Sequence, residues 1–361
     1  MRIPLLISPF RTPVLAISIA LLVLLFARDA RAEAASDAGE KGVPATKRAP
    51  FYRLDADIPG ECERLSRFSY PSADQPTAAE AQDLRGCEAY QYYYGIGRRK
   101  NYVKARQCAF SQPVPESGFS GELILMMLYA NGQGVSRNLE LAKKAACNSG
   151  LAGDDLKESI DALRTMAQPT KLAVQTFNFC DLVGTERSTD LCTWVKAQVD
   201  IQKYEPELAT RRRTWTRLQQ TAFDDVQKKW KIYIDLHADI EERRVGSDAA
   251  LHRRAVLTIG KAEFLGSLLA FETGTTPGYD EESYKEIDSS LNEMWRANVL
   301  PDLLSGKPEA QRIRRAQRAW LAYMESWVKF AAYRYGGVSP NVWRAYFTTG
   351  RMYDLHWICT Q

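Results

Sequence analysis

Residues 223–265 read FDDVQKKWKIYIDLHADIEERRVGSDAALHRRAVLTIGKAEFL, and residues 313–355 read IRRAQRAWLAYMESWVKFAAYRYGGVSPNVWRAYFTTGRMYDL. Laid over one another at an offset of ninety, without a gap, ten of the 43 positions are identical. Among them are Gln227/Gln317, Trp230/Trp320, Tyr233/Tyr323, Arg254/Arg344, Thr258/Thr348 and Leu265/Leu355. Chance at average composition gives about two or three. The stretch therefore reads as an internal duplication, and Asp235/Glu325 and Lys261/Arg351 keep their charge as well.

Both copies share one period. Phe223, Val226, Trp230, Tyr233, His237 and Ile240 are spaced three and four apart, and Ile313, Ala316, Trp320, Tyr323, Trp327 and Phe330 repeat the pattern. Such a stripe is the buried face of a long helix. His237 falls on it opposite Trp327 and reads as a packing residue. Gly246 and Gly336 read as helix ends. Ser247 and Ser339-Pro340 read as the caps of a second helix. Each copy is thus expected to be a helical hairpin. A further amphipathic helix is expected over Ser283–Val299, with Ile287, Leu291, Met294 and Trp295 on one face and Pro301 stopping it. Arg211-Arg212-Arg213 reads as a solvated helix face.

Upstream, a shorter period appears. YYYGIGRRKNYVKARQC at Tyr92–Cys108 and YANGQGVSRNLELAKKA at Tyr129–Ala145 match at an offset of 37 through Tyr92/Tyr129, Gly95/Gly132, Gly97/Gly134, Asn101/Asn138, Ala105/Ala142 and Ala109/Ala146. This is the range of stacked helical hairpins. The paired glycines allow a tight turn, the alanine permits close helix packing, and Gly150 reads as a C-cap. All eight tryptophans lie after residue 193, which suggests two differently built modules joined near residues 165–200.

At the N-terminus, Arg2 and Arg11 precede the uncharged run VLAISIALLVLLFA, and Ala30-Arg31-Ala32 follows as a small-x-small site. This is the pattern of an export signal over residues 1–32, its apolar run short of the length that spans a bilayer; the alternative is an uncleaved anchor, since apolar residues over Ile3–Phe10 lengthen the segment. Residues 33–57 read as a linker. Export suits the seven cysteines, Cys62, Cys87, Cys108, Cys147, Cys180, Cys192 and Cys359. Cys180 and Cys192 bracket a polar loop and form the best local pair. Cys62 with Cys87 and Cys108 with Cys147 are plausible further pairs. Cys359, close to the C-terminus, is the candidate for the thiol left over.

The composition, 45% hydrophobic and 25% charged, is that of a globular chain and excludes a collagen or a polytopic membrane protein. The formal charge of +4 falls to +1 without residues 1–32, which removes any global electrostatic reason to bind nucleic acid or an anionic membrane. There are three histidines and no HExxH, Walker, GxSxG or CxxC motif, so no enzyme activity, metal or cofactor is expected. Any membrane contact would come through the signal segment alone.

Two stretches carry family resemblances. Tyr-x-x-Gly-x-Gly, followed by an alanine-rich helix, resembles the Sel-one-like repeats, relatives of tetratricopeptide repeats, over about residues 80–152. Asp288-x-x-Leu291-Asn292-x-x-Trp295, then Ala316-Gln317-Arg318-Ala319-Trp320-x-x-Tyr323-x-Glu325, then Thr348-x-x-Arg351-x-x-x-Leu355, resembles the LprI-type lysozyme inhibitors, exported bacterial proteins. Two cysteines frequent in that family would fall at Val328 and Trp343, and both are absent. The resemblance implies a structural motif of Gln317, Trp320, Tyr323, Thr348 and Arg351.

The expected architecture is all-α. Helical-hairpin repeats over residues 58–165 lead through a cysteine-containing connector, 166–200, into a duplicated module, 201–361. The expected protein is periplasmic or secreted and acts by binding a protein, a C-type lysozyme on the LprI resemblance. The alternative is a helical-repeat scaffold that recruits an envelope protein. A basic partner would meet acids, and Asp239, Glu241, Glu242, Asp280, Glu281 and Glu282 are the candidates.

Overall fold

A computed structural model describes residues 57–112, 119–151, 153–168, 176–241 and 249–360. The export signal, nearly all of the linker, Glu242 and Gly246 lie outside these. The fold of the described residues is all-α, with helices joined by short turns and no strand among them.

Seven helices build the first part: α1 (Ile58–Ser66), α2 (Ala78–Asp83), α3 (Ala89–Tyr94), α4 (Tyr102–Ser111), α5 (Gly121–Asn131), α6 (Leu139–Asn148) and α7 (Gly153–Met166). The offset of 37 is realised as two hairpins, α3–α4 and α5–α6, with the same turn. Gly95 and Gly132 end the first helix of each at φ +80° and +66°. The amide of Asn101 then donates to the Tyr92 carbonyl (2.9 Å), and that of Asn138 to the Tyr129 carbonyl (3.0 Å). The same asparagines cap the second helices through their side chains. Gly134 is further restricted by contact, since a Cβ there would meet the Tyr102 backbone at 2.8 Å. The matched tyrosines thus serve their turns through main-chain carbonyls.

Three disulfides hold this part: Cys62–Cys147, Cys87–Cys108 and Cys180–Cys192. The last is the expected local pair. The other two replace the expected Cys62–Cys87 and Cys108–Cys147, because α1 packs on α6 rather than on the α3–α4 hairpin. Cys359 belongs to no bridge. Disulfides of this kind place the folded chain in an oxidising, extracellular-type environment. No described helix is long and apolar enough to cross a membrane.

The second part contains α8 (Glu186–Arg212), α9 (Arg217–Glu241), α10 (Ala249–Glu272), α11 (Ser283–Asn298), the short α12 (Leu300–Leu304), α13 (Pro308–Arg334) and α14 (Pro340–Thr360). The position 200/201, drawn from sequence as a module boundary, falls inside the continuous α8. Trp194 on α8 joins the first core, its ring 5.3 Å from Tyr90. Pro301 opens α12 directly after α11 rather than simply stopping the chain. Gly336 is not a left-handed cap: α13 ends at Arg334, and the Tyr335 amide closes onto the Ala331 carbonyl.

These helices form two three-helix layouts. In the first, α8 and α10 run parallel, since contacts join residues about sixty apart: Asp190 with His252, Trp194 with Arg254, Glu205 with Lys261 and Arg211 with Glu272. In the second, α11 lies along α14, and Tyr284 feels the charge of Arg344, again sixty positions on. The layouts meet through α9 and α13, which run antiparallel. Gln219 reaches the Tyr333 carbonyl, Phe223 meets Phe330, and Tyr233 meets Tyr323. Both apolar stripes therefore face each other. Trp327, Phe330 and Trp343 are buried in the core between them, joined there by Val328. Burying each such side chain contributes about 1.5–3 kcal/mol.

Glu272 ties this end of the bundle together. Its side chain is 1% exposed, accepts both Arg334 guanidinium nitrogens (2.9 and 2.7 Å), and takes the Tyr335 hydroxyl at 2.7 Å and the Trp215 indole N–H at 3.3 Å. Burial alone would raise this carboxyl, but the hydrogen bonds and the Arg334 charge outweigh it and hold it below the usual carboxylate range.

Candidate functional site

The motif residues Gln317, Trp320, Tyr323, Thr348 and Arg351 come together in the second layout. Arg351 on α14 is 1% exposed, and its Nε donates to Gln317 Oε1 at 2.8 Å. One Nη lies 3.4 Å from the Tyr233 hydroxyl and 3.7 Å from Asp354 Oδ2. The Tyr233 hydroxyl donates in turn to Asp354 at 2.8 Å. Trp320 and Tyr323 pack beside this network, and the buried Thr348 hydroxyl meets Met324 Sδ. A buried guanidinium is tolerated when acceptors and an opposite charge surround it. The motif is a structural staple: Trp320, Tyr323, Thr348 and Arg351 are buried, Gln317 is half-buried, and one Arg351 Nη is buried without a hydrogen-bond partner.

The equivalent space in the first layout is open. Between α8, α9 and α10 lies a cleft of about 290 Å³, lined by Glu205, Arg212, Gln227, Trp230, Lys261 and Phe264 among others. Two substitutions between the copies go with it. Lys261 stands where Arg351 does, and its ammonium turns out to Glu205 (2.7 Å) rather than in to Gln227. Phe264 stands where Asp354 does, so no carboxylate draws a cation inward. Trp230 is half-buried, with its ring on Phe264 (4.8 Å between centroids, 23° between planes), whereas Trp320 is 3% exposed. Arg212 bonds Asp224 at 2.8 Å and reaches Gln227 at 3.5 Å. Arg211 pairs with Glu207 and donates to the Glu272 carbonyl. The arginine run is therefore no uniform solvated face; only Arg213 is exposed.

The candidate acids separate. Asp239 pairs with Arg253 (3.2 Å) and shares a small recess with Arg312 and Arg315, so cations surround it. Glu241 closes α9, and Glu242 lies outside the described residues. Asp280 accepts the Ser283 amide (2.8 Å) and hydroxyl (2.6 Å) ahead of α11, and these bonds hold its carboxyl below the ordinary range. Glu281 and Glu282 are exposed, and no side-chain partner for them exists among the described residues. They continue into α11, where Glu286 and Glu293 are exposed as well. Residues 280–296 hold six acids against Lys285 and Arg296.

His237, on the stripe as expected, lies 5.7 Å from the Tyr233 ring, with its Nδ1 buried and unbonded. No group of three His, Cys, Asp or Glu side chains among the described residues is placed to hold a metal ion. The cleft escaped sequence reading because its rim comes from three helices. Its local signs in the sequence are the Lys261/Arg351 and Phe264/Asp354 differences between the copies. Comparison with protein-family models, curated proteins and solved structures finds no match to this chain.

Proposed function

We propose that the chain is an exported, non-catalytic binding protein that captures a basic protein through the acidic stretch 280–293 that leads into and along α11. The observation that carries this reading is the charge of residues 280–296, where Asp280, Glu281, Glu282, Glu286 and Glu293 are all exposed. Opposed fields of this kind steer encounter and suppress wrong partners. The LprI resemblance favours a C-type lysozyme as the partner and the periplasm or the exterior as the place. The inward-turned motif supports binding rather than turnover, since its polar groups are spent on packing.

The test titrates the oxidised chain into a cell-wall lysis assay with C-type lysozyme, at low and high salt. Inhibition should saturate near one equivalent and weaken with salt. An absence of inhibition would return the chain to the scaffold reading, and sub-stoichiometric inactivation would overturn both.

A further inference from the structure

The cleft between α8, α9 and α10 has no part in that proposal, and its chemistry points to a ligand of its own. We propose that it binds a neutral saccharide ring. The second layout serves as an internal control. There the same Gln–Trp pair, Gln317 and Trp320, is closed over by the chain's own Arg351. Here Gln227 and Trp230 are left facing a space of about 290 Å³. That is the lower end of ligand-pocket volumes and suits one ring rather than a long chain.

The lining selects the ligand class. Trp230, half-buried and backed by the buried Phe264 ring, offers an apolar surface on which the C–H face of a sugar can pack. The polar groups around it are planar or forked: the Gln227 amide, the Arg212 guanidinium and the Glu205 carboxylate. Such groups reach two neighbouring hydroxyls at once. Charge decides against the competitors. Lys261 is matched by Glu205 and Arg212 by Asp224, at 2.7 and 2.8 Å. A phosphate or carboxylate would have to displace the acids, and a guanidinium would have to displace the cations. A hydroxyl donates to the carboxylate and accepts from the cations without breaking either pair.

Binding is read by saturation-transfer NMR on the full oxidised chain, with N-acetylglucosamine trimer and maltotriose as probes and inorganic phosphate and free arginine as comparators. At least one saccharide should bind saturably, with its ring C–H protons saturated most strongly. Trp230→Ala and Gln227→Leu should each weaken that binding about tenfold or more. Should Trp230→Ala fold poorly, Gln227→Leu and Glu205→Gln, which keep the aromatic wall, carry the test. Failure of both saccharides to bind overturns the proposal, whether or not phosphate or arginine binds. Saccharide binding unchanged in the folded cleft variants overturns it too. Charge reversal on α11 should leave saccharide binding intact, so this result and the lysozyme result fail separately.

Discussion

Tyr233 and Tyr323, ninety positions apart, stack on one another with centroids 6.0 Å apart and planes 10° from parallel. They are equivalent residues of the two copies. When a residue meets its own equivalent, the contact has the form of an isologous, two-fold interface. The relation extends outward: Tyr233 bonds Asp354, and Tyr323 faces Phe264, the residue equivalent to Asp354. The duplicated segments thus bury their stripes against each other as two subunits would.

Equivalent tryptophans should differ in worth. Trp320→Ala removes a fully packed ring and should cost about 3–5 kcal/mol in urea melts. Trp230→Ala, at the cleft, should cost clearly less. Equal losses would mean that the two layouts are packed alike.

Glu272→Gln should cost about 1.5–3 kcal/mol at pH 7, the range for hydrogen bonds to a charged group. The folded carboxyl titrates below its unfolded value near 4.3, so its contribution is present above that pH and is lost as pH falls through the folded value. Melts of wild type and variant should therefore converge as the pH is lowered past about 4.

Peptide mapping without reduction should return Cys62–Cys147, Cys87–Cys108 and Cys180–Cys192. Opening the first, which spans 85 residues, should destabilise more than opening the last, which spans 12. Chain entropy puts the difference at about 1.5–2 kcal/mol.

The acids on either side of the bundle should act unequally. Glu281→Lys with Glu282→Lys should slow capture of a basic lysozyme and remove its salt dependence. Asp239→Asn should leave capture unchanged, because Arg253, Arg312 and Arg315 already surround that carboxylate. The check is the association rate at two salt concentrations.

Gln202 shows how the two parts of the molecule lock. Its amide donates to the Gly95 carbonyl at 2.7 Å and accepts from the Gly97 amide, so a side chain of α8 reads the first hairpin's turn. Gln202→Ala should raise amide exchange at Gly97 selectively, measured by hydrogen exchange.

By itself the sequence determined the main features that repeat along the chain. The helix stripes, the offsets of 37 and ninety, the paired-glycine turns of the shorter repeat, and the Cys180–Cys192 bridge are local. Each depends on a period or a short loop that a few neighbouring residues specify. Tertiary structure alone decided what those elements face. Whether Cys62 meets Cys87 or Cys147 depends on which helix covers α1. Whether Asp239 is available depends on Arg312 and Arg315, which arrive from α13. The copies share Gln227/Gln317 and Trp230/Trp320, yet one site is sealed by Arg351 and the other is open. Arg351 has Asp354 one turn on along its own helix and lies within reach of Tyr233 from α9, whereas Lys261 meets Glu205, which only the packing of α8 brings to it.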